Sequence, residues 1–413
     1  MDVPVGEVIS RADGVLSAMG HAPSTLWQYR WAWSQIETFC SSEGVVALSD
    51  DVVSSFLRFV AAEHREGRIK EWKRKLLRKA VLVLWEVAST GTYTWKPSRA
   101  THPNDIVDPG LRPVQEQFQQ WLRSQGLAAA TADLYATVSR KVLAWLPERG
   151  VDDVGRLSGA DVSAVVVYLA GSYAPASMRT ALTALRVFCR FVEDAGWCVG
   201  LSRAVPTVFS RRTRPVSVLP AHDVEALVAS PHPTTPVGRR NRAILLLAAR
   251  TGLRPSDIAG LRLADIDWRQ SLITVTQHKT ATVLTLPLLA DVGAAIADYL
   301  LHGRPAGVDD DHVFLRSQAP FVGHELSGLY HVASDAFARS ETVPDGGGGR
   351  GMRVLRASLA TKMVEADTPL PVISQVLGHR EIVSTTHYLA VDETRMRQCC
   401  LDFAGIEPRT AAQ

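Results

Sequence analysis

The stretch LGHREIVSTTHYL, residues 377 to 389, holds a histidine, His379, and a tyrosine, Tyr388, nine positions apart among small and β-branched residues. An imidazole can relay a proton and a phenol can act as a nucleophile, so the two matter chemically only if they reach one site. On one uninterrupted helix they would not, because a period of about 3.6 residues puts them on opposite faces. Gly378, however, is a helix-stop residue after PVISQVL, and Ser384 and Thr385 are helix-start residues before Tyr388. A break is therefore predicted between them, and a helix-loop-helix can bring both side chains together. Taken alone, the stretch also fits a structural histidine beside an interfacial tyrosine.

Three further segments widen the set. TGLRPSDIAGLRLADI places Arg254 at a helix junction: Gly252 ends one helix, and Pro255, at a first-turn position, starts the next. Such an arginine projects from the junction, and Asp257, three residues on, is placed to fix its guanidinium by a hydrogen-bonded ion pair. GMRVLRASLATKMVEAD supplies Arg356 at the start of another helix, with Arg353 one turn before it. SLITVTQHKTATVLTLPL alternates apolar residues on either side of a short polar tip, the pattern of a β-hairpin with Lys279 at or near its turn. Each residue alone is ordinary; the order Arg254, Lys279, Arg356, His379, Tyr388 within one domain is not.

The chain that must position them has 413 residues, enough for two or three domains with full-sized cores, and its 46% hydrophobic content fits a globular protein. No apolar run reaches membrane-spanning length, AILLLAA at 243–249 being seven residues, and MDVPVGEVIS lacks the basic head and apolar core of a signal peptide, so a cytoplasmic, nucleoid-associated protein without membrane partners is expected. Five cysteines with no zinc-ligand spacing read as reduced structural thiols. The formal net charge of +3 is unevenly spread. Residues 64 to 79 carry Arg65, Arg68, Lys70, Lys73, Arg74, Lys75, Arg78 and Lys79 against two glutamates, a local +6 that leaves −3 for the rest. A second cluster, Arg203, Arg211, Arg212 and Arg214, lies in an acid-free stretch from 201 to 214. Two such patches are the footprint of a polyanion-binding protein; each alone also fits a solvated helix face or linker.

LSDDVVSSFLRFVA at 48 to 61 reads against LSGADVSAVVVYLA at 157 to 170 with five identities, and each half ends in an apolar helix followed by Gly91 or Gly196. A spacing of about 105 residues suggests two similar all-α domains in tandem. Stretches rich in proline and polar residues at 95–113 and 202–220 read as linkers, which gives domains at 1–100, 112–200 and 219–413. The glycines of DGGGGRG, 345 to 351, make a loop, not a phosphate-binding fingerprint. The fold class expected is mainly α with a small β-sheet or hairpin.

Residues 219 to 395 resemble the tyrosine recombinase (phage integrase) family. TGLRPSDIAGL is similar to its first arginine box, LRASLATKMVEADTPLPVISQVLGH to its second arginine and histidine boxes, and STTHYL to its nucleophile box. Residues 112 to 200 resemble its helical core-binding domain more weakly. The resemblance implies a DNA strand-exchange enzyme with two helical DNA-binding-type domains ahead of the catalytic one. Tyr388 would attack a phosphodiester to give a 3′-phosphotyrosine. Arg254 and Arg356 would clamp the nonbridging oxygens of the phosphorane, whose extra charge they stabilise. Lys279 would protonate the departing 5′-oxygen, and His379 would donate to a nonbridging oxygen or assist proton transfer at the phenol. No nucleotide or metal cofactor is implied. The partners implied are double-stranded DNA and other copies of the chain, four at synapsis with helices at 393–403 docking on a neighbour, together with sibling recombinases or DNA-bending proteins.

The sequence departs from the family at Arg353, where a histidine is usual; arginine cannot serve as a base at neutral pH but can hold a phosphate oxygen. His387, beside Tyr388, points about 100° away on a helix and is a poor substitute. Two other readings remain open here: a type IB topoisomerase-like relaxing enzyme, and a DNA-binding relative whose activity is impaired by the change at Arg353.

Overall fold

A computed structural model of the chain describes residues 3–94, 107–108, 110–207, 216–324, 329–345, 349–381 and 385–386. By its contacts the chain divides into two units: Met1–Trp95 with Arg214–Gln413, and Lys96–Thr213. Among the described residues no helix is long and apolar enough to cross a membrane.

The first unit begins with four helices, α1 (Val5–Ala18), α2 (Pro23–Ser42), α3 (Asp50–Arg65) and α4 (Glu71–Thr90). Their apolar positions close on a core containing Trp33, Ile36, Phe56 and Leu84, and the Trp33 indole donates to the carbonyl of Ala80 at 3.2 Å. Ser49 caps α3 by accepting from the amide of Val52, with Asp50 and Asp51 in the first turn and His64 and Arg65 in the last, charges that complement the helix dipole.

The second unit repeats this order of elements: α5 (Arg112–Ser124), α6 (Ala129–Trp145), α7 (Gly159–Ser172) and α8 (Pro175–Asp194), followed by a short α9 (Leu201–Ala204). Ser158 caps α7 in a reciprocal capping box with Asp161, at the place where Ser49 caps α3, so the two LS sequences found by self-comparison are both helix starts. Phe118 and Phe188 meet edge to face at 5.2 Å in its core. That core reaches beyond 112–200 at both ends: Leu201, and Val107, Leu111 and Val205 inside the stretches read as linkers, are buried in it. Their apolar side chains were masked in the sequence by surrounding prolines and charges.

The remainder of the first unit holds α10 (Ala221–Ala229), α11 (Pro236–Thr251), α12 (Pro255–Ala259), β1 (Ile266–Asp267), β2 (Leu272–Thr276), β3 (Val283–Pro287), α13 (Ala290–His302), α14 (Tyr330–Ser340), α15 (Arg353–Glu365) and α16 (Leu370–Val376). The strands form an antiparallel sheet in the order β1-β2-β3, with Val275 opposite Leu284. Along β2 and β3 the apolar residues Ile273, Val275, Leu284 and Leu286 point inward while Thr274, Thr276 and Thr285 are exposed, which is the period-two alternation read from the sequence. Residues 243 to 249 of α11 are all buried, so this helix is apolar around its circumference and forms the centre of the core. Each of its fully buried leucine and isoleucine side chains contributes on the order of 1.5–3 kcal/mol. Mostly helical with one small sheet, the protein has the fold class expected. The expected helices at 393–403 lie outside the described residues, as do most of the glycines of DGGGGRG.

Candidate active site

Gly252 takes φ 65° at the end of α11, and Arg254, extended at φ −69° and ψ 149°, is the N-cap residue of α12. A Cβ at Gly252 would come within 2.8 Å of a methyl of Leu377 and 3.1 Å of one of Leu359, so only glycine lets α11 end against α15 and α16 here. The Arg254 guanidinium thereby emerges from the junction as expected, but its link to Asp257 differs. Arg254 Nη1 is 3.8 Å from Asp257 Oδ2, an ion pair without a hydrogen bond, and among the described residues neither atom has a hydrogen-bond partner. Asp257 instead uses Oδ1 to accept from the backbone N–H of His278 at 3.0 Å. A carboxylate three residues on in a short helix faces the hairpin next door, and the hairpin amide takes the bond that sequence spacing gave to Arg254.

Arg356 is buried, 8% exposed, on the inner face of α15. Its Nη1 donates to the carbonyl of Gly252 at 2.6 Å and its Nη2 to that of Leu377 at 2.8 Å, while Arg254 Nη2 donates to the carbonyl of Gly378 at 3.3 Å. Both guanidinium groups therefore converge on the consecutive carbonyls of Leu377 and Gly378. Charge-assisted bonds of this kind hold a guanidinium in one orientation without neutralising it, since a carbonyl carries no net charge. Arg353 opens α15 on its exposed side and, among the described residues, makes no hydrogen bond or ion pair.

Gly378 ends the α16 segment at φ 60°, and the amide of His379 still donates to the carbonyl of Ser374 at 2.9 Å. His379 thus directly follows the two carbonyls that the arginines hold. Its Nδ1 lies 2.8 Å from the hydroxyl of Thr385, which is fully buried. Thr385, read from the sequence only as a helix-start residue, fixes the imidazole ring through this contact. Tyr388 and His387 lie outside the described residues.

Lys279 is exposed in the turn between β2 and β3, where the alternation had put it, and makes no hydrogen bond or ion pair among the described residues. Two residues before it, Gln277 is fully buried and donates to the carbonyl of Leu377 at 3.3 Å. Sequence reading missed Gln277, although one signal was there: an amide follows Ile273 and Val275 at the next inward position of the strand register.

The basic block resolves into unlike residues. Arg68 bonds Glu63 and Glu66, and Arg74 makes a two-pronged bond to Glu71 at 2.7 and 2.8 Å that holds this carboxylate down at about 2. Lys73 sits over the Trp31 ring at 5.0 Å, and Lys79 over Tyr29 at 5.9 Å. Burial, with Arg316 nearby, lowers the pKa of Lys79. Arg65, Lys70 and Lys75 are exposed, as is Arg203; Arg211, Arg212 and Arg214 lie outside the described residues. Among the described residues the only grouping of potential metal ligands is Asp310, Asp311 and His312, apart from the arginine pair, with Asp311 already bonded to Arg262.

Residues 217–395 match the phage integrase family. The integrase/recombinase y4rF of Sinorhizobium fredii is 33% identical over 73% of this chain and 72% of its own length. The tyrosine recombinase XerD of Mycobacterium tuberculosis is 27% identical over 69% of this chain and 94% of its own. Two solved structures share the fold: XerH site-specific recombinase bound to palindromic difH substrate, with TM-score 0.55, 14% identity and coverage of 69% of this chain and 83% of that one; and a lambda integrase tetramer bound to a Holliday junction, with TM-score 0.52, 16% identity and coverage of 82% and 90%.

Proposed function

The chain belongs to the phage integrase family of tyrosine recombinases, and from that premise we propose how its residues carry out site-specific recombination of double-stranded DNA. Tyr388 Oη attacks a backbone phosphorus and forms a 3′-phosphotyrosine as the bond from phosphorus to O5′ breaks. The departing O5′ takes a proton from Lys279, and the phenol proton is passed through His379 or to water. Rejoining runs the same steps backward, with the bond energy kept in the phosphotyrosine. Arg254 and Arg356 stabilise the charge on the nonbridging oxygens; where the phenol proton goes to water, His379 instead donates to one of those oxygens.

The observation that carries this reading is the convergence of both arginines on the carbonyls of Leu377 and Gly378, directly before His379. The relatives and neighbours are named recombinases and integrases, which favours strand exchange over topoisomerase-like relaxation. In this reading residues 219–413 form the catalytic domain, the unit whose core runs from Val107 to Val205 a core-binding domain, and 1–100 an accessory DNA-binding domain. One neighbour is a tetramer on a Holliday junction, and the same four-subunit assembly suits a reaction that joins two duplexes.

Incubating the protein with nicked duplexes carrying candidate end sequences tests the reading. A covalent protein–DNA adduct that vanishes in Tyr388→Phe is expected. An adduct that persists in that variant removes Tyr388 as nucleophile.

A further inference from the structure

The hairpin that carries Lys279 is tied down by a side chain that has no role in the steps above. Gln277 is fully buried at a position where the strand register calls for an apolar residue. Its Nε2 donates at 3.3 Å to the Leu377 carbonyl, the same oxygen that accepts from Arg356. Its Oε1 accepts at 2.8 Å from the hydroxyl of Thr280, the residue after Lys279. Its backbone closes the turn, with N–H donating to Thr282 and C=O accepting from Ala281, both at 2.8 Å. Opposite the amide stands Gly378, where a Cβ would lie 2.2 Å from Nε2, so the close approach of hairpin and loop depends on the glycine.

An aliphatic residue would fill this inward position without the cost of burying an amide. What the amide adds is direction. One end reads the peptide that orients Arg356, and the other grips the turn beside Lys279. On the far side of the turn tip, Asp257 holds the N–H of His278, so both neighbours of Lys279 are bonded, while its own side chain is not.

We propose that Gln277 is a positioning residue for the strand-cleavage step: it sets the Lys279 ammonium in register with the arginine-held phosphate. The inference rests on reading Lys279 as the proton donor to O5′. A donor displaced by about 1 Å loses up to a hundredfold in rate, although it is still present and still charged.

The test compares single-turnover cleavage of two substrates, one normal and one with sulfur replacing the bridging O5′. A thiol ionises near pH 8.5, so a thiolate leaves without a proton and bypasses the donor. Lys279→Ala is expected to be slow on the normal substrate and restored on the sulfur one. Gln277→Leu, close in volume but without hydrogen bonds, is expected to be slowed about ten- to hundredfold on the normal substrate and to come within about twofold of the parent on the sulfur substrate. If Gln277→Leu slows both substrates alike, or neither, while sulfur restores Lys279→Ala, the role of Gln277 is overturned and that of Lys279 stands. If sulfur fails to restore Lys279→Ala, the donor assignment itself falls, and the inference with it. Should Gln277→Leu lose its cooperative melt, Thr280→Val, which removes only the bond at the turn, carries the same criteria with a smaller slowing of about three- to tenfold.

Discussion

At the scale of single residues, the two arginines of α15 separate clearly. Arg356 is buried and orients itself on two carbonyls; Arg353 is exposed and unpaired among the described residues, so its charge is available to a phosphate. Removing Arg353 leaves no carbonyl unsatisfied and is expected to cost one charge-assisted hydrogen bond to substrate, about 1.5–3 kcal/mol or ten- to a hundredfold in cleavage rate, with the melting temperature unchanged. Arg356→Ala is expected to lose more activity and stability as well, because the Gly252 carbonyl loses its guanidinium donor and the Leu377 carbonyl one of two side-chain donors. Arg353→His restores the family residue and should keep much of the activity, with a pH dependence moved toward the imidazole range. Cleavage by Arg353→Ala at the parent rate would make Arg353 a surface residue with no part in holding the phosphate.

At the scale of elements, the basic block spanning the end of α3 and the start of α4 is less cationic than its composition suggests. The charges of Arg68 and Arg74 are opposed by Glu63, Glu66 and Glu71, whereas Arg65, Lys70 and Lys73 make no ion pair among the described residues. If the block contacts phosphates, replacing Arg65, Lys70 and Lys73 with alanine should weaken DNA binding and lower the slope of log K against log salt by about one unit per lost contact. Replacing Arg68 and Arg74 should change the slope less. Binding isotherms at several salt concentrations decide this, and equal slopes for parent and triple variant would assign the block to protein contacts.

At the scale of the whole molecule, two expectations follow from how the cores are built. The α1–α4 bundle and the region from α10 onward have separate buried clusters, although Gly20 approaches the Phe321 ring and Lys79 lies in the field of Arg316. Deleting residues 1–94 should therefore leave a protein that melts cooperatively and cleaves a core site, with long-site assembly impaired; an aggregated product would mean that the bundle is part of the catalytic core. His324 sets an acid limit. Burial, reinforced by Arg240, lowers its pKa to about 4. Between pH 6.5 and 4 the unfolded chain binds a proton that the folded chain does not, so stability is full above 6.5 and falls as pH drops through this window, by on the order of 2–3 kcal/mol. Denaturation curves at pH 7 and 4.5 should show a smaller loss for His324→Gln than for the parent.

What the sequence determined by itself was whatever repeats over short distances. Hairpin alternation and the helix ends at Gly252 and Gly378 depend on neighbours within a few turns of chain, so residue type and spacing are enough to read them, and the order of arginine, lysine, histidine and tyrosine is written along the chain itself. Tertiary structure alone decided which partners those residues take. Arg254 stands 124 residues from the Gly378 carbonyl that holds it, and Gln277 stands 100 residues from Leu377. Asp257, assigned to the nearest arginine by spacing, turned to an amide across the hairpin instead, and Val107 and Val205 left their linkers for a core. A backbone carbonyl has no signature in sequence, because every residue carries one; only folding selects which of them faces a guanidinium.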